Sequence, residues 1–138
     1  AIFALMALGA EGVQMGTRFA LTDESSASDI FKEYCLRLNE GDTKLLLKKL
    51  APTRLVTNSF RDRVEAAEGR GASAEELREL LGRGRAKKGI FEGDLEEGEL
   101  EIGQVAALFR RRQSVDEVMK ELLEGYGRAS DKIRSVGL

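Results

Sequence analysis

The sequence has no histidine and no tryptophan, and it has one cysteine and one proline in 138 residues. Without histidine the chain cannot supply a Ser-His-Asp triad, a Cys-His pair or a zinc site that uses imidazole. With Cys35 alone it cannot form an internal disulfide, which fits a reducing cytoplasm. We expect Cys35 to be a small buried apolar residue. The missing residue types thus exclude several common forms of hydrolytic and metal-dependent chemistry within this chain.

Neither sign of charge is in excess, since 22 basic residues stand against 24 acidic ones for a net charge of −2. This balance predicts neither a nucleic acid nor an anionic membrane as a partner. The longest apolar run, residues 1–10, is about half of the roughly 20 residues that a membrane-spanning helix needs. It also lacks the positively charged start of a secretory signal. We therefore expect a cytoplasmic globular protein.

Two charged stretches each allow a functional interpretation. The basic stretch "GRGRAKKG", with Arg110–Arg112 further on, is favoured as a solvated surface, because it lacks aromatic residues and an acidic run follows it. Docking of an acidic protein partner remains the alternative. The acidic stretch "DLEEGELEIG" resembles a calcium loop, but Gly98 stands one position too early after Asp94 for an EF-hand. We predict no metal site.

The first twenty residues read as a helix followed by a strand. "AIFALMALGA" has good helix formers with scarcely a polar face, and such helices are normally buried inside larger proteins. No capping residue precedes Ala1, so we expect the chain to begin inside an element. After Gly9, apolar and polar residues alternate, which predicts a strand over residues 12–19. A helix followed by a strand is typical of an α/β fold.

The remaining sequence is predicted to be mainly helical. "TDESSASDIFKEYCLRL" has cap candidates and an apolar stripe, and Ser73 with Glu76 and Ser114 with Glu117 form two capping boxes before amphipathic helices. Residues 42–58 are ambiguous between strand and helix, and with Pro52 inside them we predict an extended connection. Residues 89–103 are predicted to form a structured loop, followed by a short helix over residues 104–112.

The segment "MGT", Met15 to Thr17, has the residue types that a phosphate site needs. Glycine lets a ligand approach the backbone closely, and threonine adds a hydroxyl donor. In (β/α)8 barrels a phosphate commonly binds at the loops after the last strands. On spacing alone, a glycine in a tight strand-to-helix turn is the favoured explanation, so both interpretations stay open at this point.

Two longer motifs resemble one enzyme family. "LGAEGVQMGTRFALTDES", followed by "GIFEGDLEEGELEIGQVAALF", is similar to the C-terminal part of the family of FMN-dependent enoyl-acyl-carrier-protein reductase II and nitronate monooxygenase. "TRLVTN", with Arg54 and Asn58, resembles a further family segment to which we assign no chemistry. After "ES" the family often has an Ala-His pair, whereas here Ala27 is followed by Ser28, so no role of that histidine can be carried over.

The resemblance implies a fold and a set of site residues. The fold would be the C-terminal portion of a (β/α)8 TIM barrel, with its last strand and phosphate loop, followed by a mainly helical region. Gln14, Met15, Gly16 and Thr17 would contact the FMN phosphate, and Gln104 of the "GQ" motif is a candidate on the substrate side, although a helix-starting role is equally consistent. We expect residues 1–40 to end the barrel, 41–103 to cover the flavin, and 104–138 to pack back on the barrel.

The resemblance also implies the chemistry and the partners. The family's catalytic histidine would precede residue 1, so this chain contributes no catalytic residue and we expect it not to be competent alone. One activity passes a hydride from NAD(P)H through FMN to an enoyl thioester on acyl carrier protein, and the other oxidises alkyl nitronates with oxygen. The expected partners are a preceding barrel portion and a second copy in a homodimer. The alternative is a non-catalytic helical interaction domain that keeps the family sequence.

Overall fold

The computed structural model describes residues 1–136. Helix and strand elements follow in the order α1 (Ile2–Ala7), α2 (Thr17–Ala20), α3 (Asp29–Cys35), β1 (Thr43–Leu46), β2 (Thr53–Val56), α4 (Ser59–Gly69), α5 (Ala74–Leu81), a π-helical turn (Lys87–Phe91), a 3-10 helix (Gln104–Leu108) and α6 (Val115–Ser135). Within this part of the chain, no helix is long and apolar enough to cross a membrane.

Helix α3 anchors the main core of the molecule. The side chain of Ser28 caps it by accepting from the N–H of Phe31, and Phe31 and Cys35 are buried on its inner face. Burial raises the pKa of the Cys35 thiol to about 12, so this thiol stays protonated and behaves as an apolar residue. The ammonium of Lys32 is also buried, and it donates to the carbonyls of Asp23 and Ser25 at 3.2 and 2.7 Å. This lysine ties the turn after α2 to α3.

The only regular sheet in the described residues is a hairpin. Strands β1 and β2 pair antiparallel, with Thr43 opposite Val56 and Leu46 opposite Thr53. The acidic segment after the π-helical turn runs alongside β2: Leu55 pairs with Glu101, and the Val56 N–H donates to the Leu100 carbonyl at 2.9 Å. Leu100 and Ile102 enter the same core cluster as Phe31 and Cys35. The hairpin therefore fixes the course of residues 99–102.

Two glycines let this acidic segment approach the π-helical turn. A Cβ on Gly98 would lie 2.7 Å from the nitrogen of Gly89 and closer still to its Cα. A Cβ on Gly89 would lie 2.7 Å from Cδ2 of Leu100. Real Cβ atoms do not approach other atoms so closely, so the two backbones touch only because both residues lack a side chain. The loop beyond Gly98 is positioned by this contact.

Helix α6 lies across the first two helices. Phe3 of α1 packs edge-on against Tyr126 of α6, with ring centroids 5.4 Å apart. Arg18 of α2 forms an ion pair with Glu121 of α6 at 2.7 Å, and its guanidinium lies 4.7 Å from the ring centroid of Phe109. Both capping boxes form as the sequence predicted, so the starts of α5 and α6 are confirmed.

One prediction about local structure is wrong, and two are borne out only in part. Residues 12–19 form no strand, because no neighbouring strand pairs with them in the described part of the chain. Instead α2 begins at Thr17, and the Ala20 N–H donates to the Gly16 carbonyl at 2.9 Å. The extended connection predicted over residues 42–58 is the hairpin. The helix predicted over residues 104–112 is a 3-10 helix that ends at Leu108. Helix α1 forms, but none of its residues is buried.

The side chain of Glu99 is 8% exposed beside the Gly89–Gly98 contact. Its pKa is raised to about 7, mainly because burial removes the carboxylate from water, with a smaller contribution from Glu101 that Arg85 opposes. Burial of an ionised carboxylate is unfavourable, so the folded state is most stable while Glu99 keeps its proton.

We expect Gly98→Ala to destabilise the protein by about 3 kcal/mol or more, because the new methyl group meets backbone atoms that cannot rotate away. Gly127→Ala on α6 is the matched control: a Cβ there has nothing within 4 Å, and removing a helical glycine stabilises by about 0.5–1 kcal/mol. Urea denaturation followed by circular dichroism measures both variants. Equal stability of the two variants would contradict the backbone contact.

Glu99→Gln is expected to change how stability depends on pH. The pKa of Glu99 in the folded state, about 7, lies above its ordinary value of 4.5, so its contribution is fully present below pH 4.5 and is lost as the pH rises through 7. The variant should exceed the wild type by roughly 2–3 kcal/mol at pH 8 and by little at pH 4. Glu33→Gln on the exposed side of α3 is the control. Unfolding curves recorded at several pH values test this prediction. A stability difference between wild type and Glu99→Gln that does not change with pH would refute it.

Candidate functional site

The two sequence motifs meet at one hydrogen bond. The N–H of Gly103 donates to Oγ1 of Thr17 at 3.1 Å, although the two residues are far apart in the sequence. A Cβ on Gly103 would lie 2.5 Å from Oγ1 of Thr17, so glycine is needed for this approach. The hydroxyl of Thr17 accepts in this bond and keeps its own hydrogen to donate elsewhere. The "MGT" and "GQ" motifs therefore form one local structure.

This contact forms one wall of a cleft of about 430 Å³. Gly16 is exposed at the wall, and a Cβ built on it meets nothing within 4 Å, so no atom of the described chain blocks the approach to its backbone. The N–H groups of Thr17 and Arg18 lie in the first turn of α2, where N–H groups have no partner in their own helix. The remaining lining residues are Ala20, Pro52, Thr53, Arg54, Glu101, Ile102 and Gly103.

Two charged side chains of opposite sign face the cleft. Arg54 comes from β2, and its Nη1 donates to the carbonyl and to the hydroxyl of Thr43, both at 3.3 Å. Glu101 comes from the segment paired with β2, and its pKa is raised because it is partly removed from water. An anionic group in the cleft would be attracted by Arg54 and repelled by ionised Glu101.

The other predicted site residues lie at different places. Gln14 is exposed and does not line the cleft. The side chain of Met15 lines an apolar groove between α1 and α6. Gln104 begins the 3-10 helix, is exposed, and lines a second cavity of about 650 Å³. The structure thus brings Gly16 and Thr17 together with Gly103, whereas Gln14, Met15 and Gln104 lie outside that cleft.

Helix α2 is held in place from its outer side. Arg18, directly after Thr17, donates to Gln113 and to Glu121, and its side chain is 13% exposed. Gln113 is itself buried, and its backbone carbonyl accepts from the N–H of Asp23 at 3.1 Å. The C-terminal segment therefore fixes the orientation of the turn that presents Gly16 and Thr17.

The two basic stretches are largely paired within the chain. Lys88 pairs with Asp94 at 2.8 Å, and Arg85 donates to the carbonyl of Glu97 at 2.6 Å. Arg112 bonds to both Asp23 and Asp29 at 2.8 Å. These contacts leave less charge for an acidic partner than the sequence suggests, and docking of such a partner stays a prediction.

Sequence reasoning missed the role of Arg54 as a lining residue. Arg54 borders both the 430 Å³ cleft and the 650 Å³ cavity. The segment "TRLVTN" was noticed only through its resemblance to the family. A hairpin would have placed Arg54 diagonally opposite Thr43 on one face of the sheet, but the two strands are too short to be predicted from periodicity.

The fold is similar to solved structures of FabK from Thermotoga maritima. One matches with a TM-score of 0.85 and 31% identity, and it covers 96% of this chain and 42% of that chain. A mutant of the same protein matches with a TM-score of 0.80 and 29% identity over 97% of this chain and 40% of that one. This chain therefore spans less than half of the FabK polypeptide.

Curated relatives agree with this placement. A probable nitronate monooxygenase of Staphylococcus saprophyticus is 52% identical over 62 residues, which are 43% of this chain and 17% of the relative. A probable nitronate monooxygenase of Staphylococcus aureus is 38% identical over 71 residues, 49% of this chain and 19% of the relative. The aligned part is thus under a fifth of each relative. The nitronate monooxygenase family model matches residues 1–125, and the chain therefore belongs to the nitronate monooxygenase family.

Proposed function

We propose that this chain supplies the phosphate side of an FMN site in a flavin-dependent oxidoreductase. The observation that carries the proposal is the bond between Thr17 Oγ1 and the Gly103 N–H, which joins the two family motifs at the wall of one cleft. Membership of the nitronate monooxygenase family supports it. The proposal concerns the whole protein, because the chain spans 42% of FabK.

The donors present at the cleft fit a phosphate group. The Thr17 hydroxyl has a hydrogen to donate, the backbone at Gly16 is open to close approach, and Arg54 adds a guanidinium. Donors to an anion form stronger hydrogen bonds than donors to a neutral group. Ionised Glu101, which also lines the cleft, opposes the binding of an anion.

The protein residues have three roles in this proposal. Thr17 and the backbone at Gly16 bind the phosphate, Gly103 orients the Thr17 hydroxyl, and Arg18 holds α2 through Glu121. When bound, FMN supplies the redox chemistry, and the protein supplies binding and orientation. The catalytic histidine that the resemblance implies lies outside this chain, so no acid-base step is assigned to residues 1–138.

Two activities remain within the proposal. Enoyl thioester reduction follows from the resemblance and from the similarity to FabK, and nitronate oxidation follows from the curated relatives. Gln104 remains a candidate on the substrate side, and NAD(P)H is the expected reductant of the first activity. The second class of function, a non-catalytic interaction domain, is favoured by one observation: an apolar groove between α1 and α6 lined by Met6, Met15, Met119 and Leu123.

Thr17→Val is expected to weaken the binding of FMN by about tenfold to a hundredfold, the effect of losing one hydrogen bond to a charged group. The affinity for riboflavin, which has no phosphate, should change by less than a factor of about two, because in this proposal the phosphate is the only part of the flavin that the hydroxyl contacts. Flavin fluorescence titration of the apoprotein measures both affinities.

Thr17→Ser keeps the hydroxyl and is the matched control, so it should bind FMN as the wild type does. The ratio of FMN to riboflavin affinity separates loss of the phosphate contact from a general disturbance of α2. If Thr17→Val weakens both flavins equally, the hydroxyl does not contact the phosphate.

The activity is tested with the protein as purified, first by its visible absorption spectrum and then by two assays. Bound FMN with consumption of NADPH that depends on an enoyl thioester supports the reductase. Bound FMN with consumption of oxygen that depends on an alkyl nitronate supports the monooxygenase. A colourless protein that does not bind added FMN would favour the interaction domain.

A further inference from the structure

The second cavity, of about 650 Å³, adjoins the cleft that contains Thr17. Arg54 borders both spaces and so lies between them. A volume of this size lies within the roughly 300–1,000 Å³ range of small-molecule sites. The cavity is thus large enough for the organic part of a second ligand beside the proposed flavin phosphate site.

Two guanidinium groups from different parts of the fold line this cavity. Arg54 comes from β2, and Arg110 follows the 3-10 helix. Each is held by bonds to the backbone: Arg54 Nη1 donates to the Thr43 carbonyl at 3.3 Å, and Arg110 Nη1 donates to the Leu38 carbonyl at 2.7 Å. Neither arginine forms an ion pair with a carboxylate of residues 1–136.

These two arginines, held by neutral carbonyls, differ from three others in the chain. Arg112, Arg63 and Arg85 have carboxylate partners, so their charge is already balanced. A guanidinium has five N–H donors in a planar fork, and a bond through one nitrogen leaves the others able to bind a phosphate. Glu40 is exposed and also lines the cavity, so two positive charges and one negative charge remain there.

The rest of the lining is polar on one side and apolar on the other. Gln104 adds an amide that can donate or accept. Val105 and Leu108 are 46% and 76% exposed, and they stand three positions apart on the 3-10 helix, where such residues are aligned. An apolar surface next to two guanidinium groups suits a phosphate ester with an organic body better than a free anion.

We propose that Arg54 and Arg110 form a binding site for the phosphate group of the second substrate, with Val105 and Leu108 contacting its organic part. The assignment of this phosphate group to a substrate rests on the flavin-dependent function proposed above. Two substrates of the reductase activity have this chemistry, a nicotinamide dinucleotide and a phosphopantetheine thioester, whereas a simple alkyl nitronate has no phosphate. The site therefore favours the reductase over the monooxygenase.

Titration of the 15N-labelled 138-residue chain with inorganic phosphate, NADP+ and 4′-phosphopantetheine tests the site. Saturable shifts of the side-chain Nε–H signals of Arg54 and Arg110 are expected with inorganic phosphate and with at least one organic ligand. The organic ligand that binds more tightly than inorganic phosphate identifies the source of the phosphate. No saturable shift at these two arginines with any of the three would overturn the proposal.

Variants separate a specific site from general attraction of anions. Arg54→Gln and Arg110→Gln should each weaken the binding of the organic ligand by about tenfold or more, as expected for a lost charge-assisted bond. Arg128→Gln on α6 is the control, because it changes the net charge by the same amount. The exposed side chain of Arg128 pairs with Glu124, away from the cavity lining, so this variant should bind the organic ligand within about twofold of the wild-type affinity. Equal weakening by all three variants would refute the site. Melting temperatures confirm that each variant is folded.

The same titrations distinguish this proposal from the FMN proposal. FMN should shift the backbone signals of Gly16 and Thr17, and the Arg110→Gln variant should retain that response. If the wild type responds to FMN at Gly16 and Thr17 but shows no arginine shifts with the three phosphate ligands, only the second site is refuted. Arginine shifts without any FMN response at Gly16 and Thr17 leave the second site standing, and the flavin function is then decided by the absorption spectrum and assays of the purified protein.

Discussion

The contact between Gly89 and Gly98 is the constraint on which the candidate site depends. Because neither residue has a side chain, the acidic segment passes directly against the π-helical turn. From there Leu100 and Ile102 enter the core, and the Val56 N–H bonds to the Leu100 carbonyl. The next residue is Gly103, whose N–H reaches Thr17. A side chain at either glycine would displace the segment before it could deliver Gly103 to α2.

The electrostatics of the site come from the same segment and its partner strand. Arg54 lies on β2, Glu101 lies on the segment that runs beside it, and both line one cleft. Glu99 and Glu101 both have raised pKa values, because the segment that carries them is pressed against the hairpin and away from water. The packing that positions Gly103 therefore also disfavours ionisation of Glu99 and Glu101.

The sequence predicted best where the signal is local. The capping boxes at Ser73 and Ser114 use residues within one turn, and both formed. The strand predicted over residues 12–19 failed because a strand requires partners that a single stretch cannot supply, although Val13 and Met15 do face the same groove, as alternation requires. Helix α4 was not predicted, even though Asn58 caps it and Phe60 and Val64 are spaced for one face. The approach of Gly103 to Thr17 joins distant residues, and only the resemblance indicated that both motifs belong to one site.

The proposed phosphate loop also adjoins the apolar groove between α1 and α6. Met15 lines the groove between α1 and α6, and Thr17 lines the cleft. Gly16 alone separates them, and Arg18 then fastens α2 to Glu121 of α6. Helix α6 thus contacts both ends of the loop, at Met15 and at Arg18. The orientation of α2, and with it the turn that presents Gly16 and Thr17, therefore depends on the packing of α6 on the first two helices.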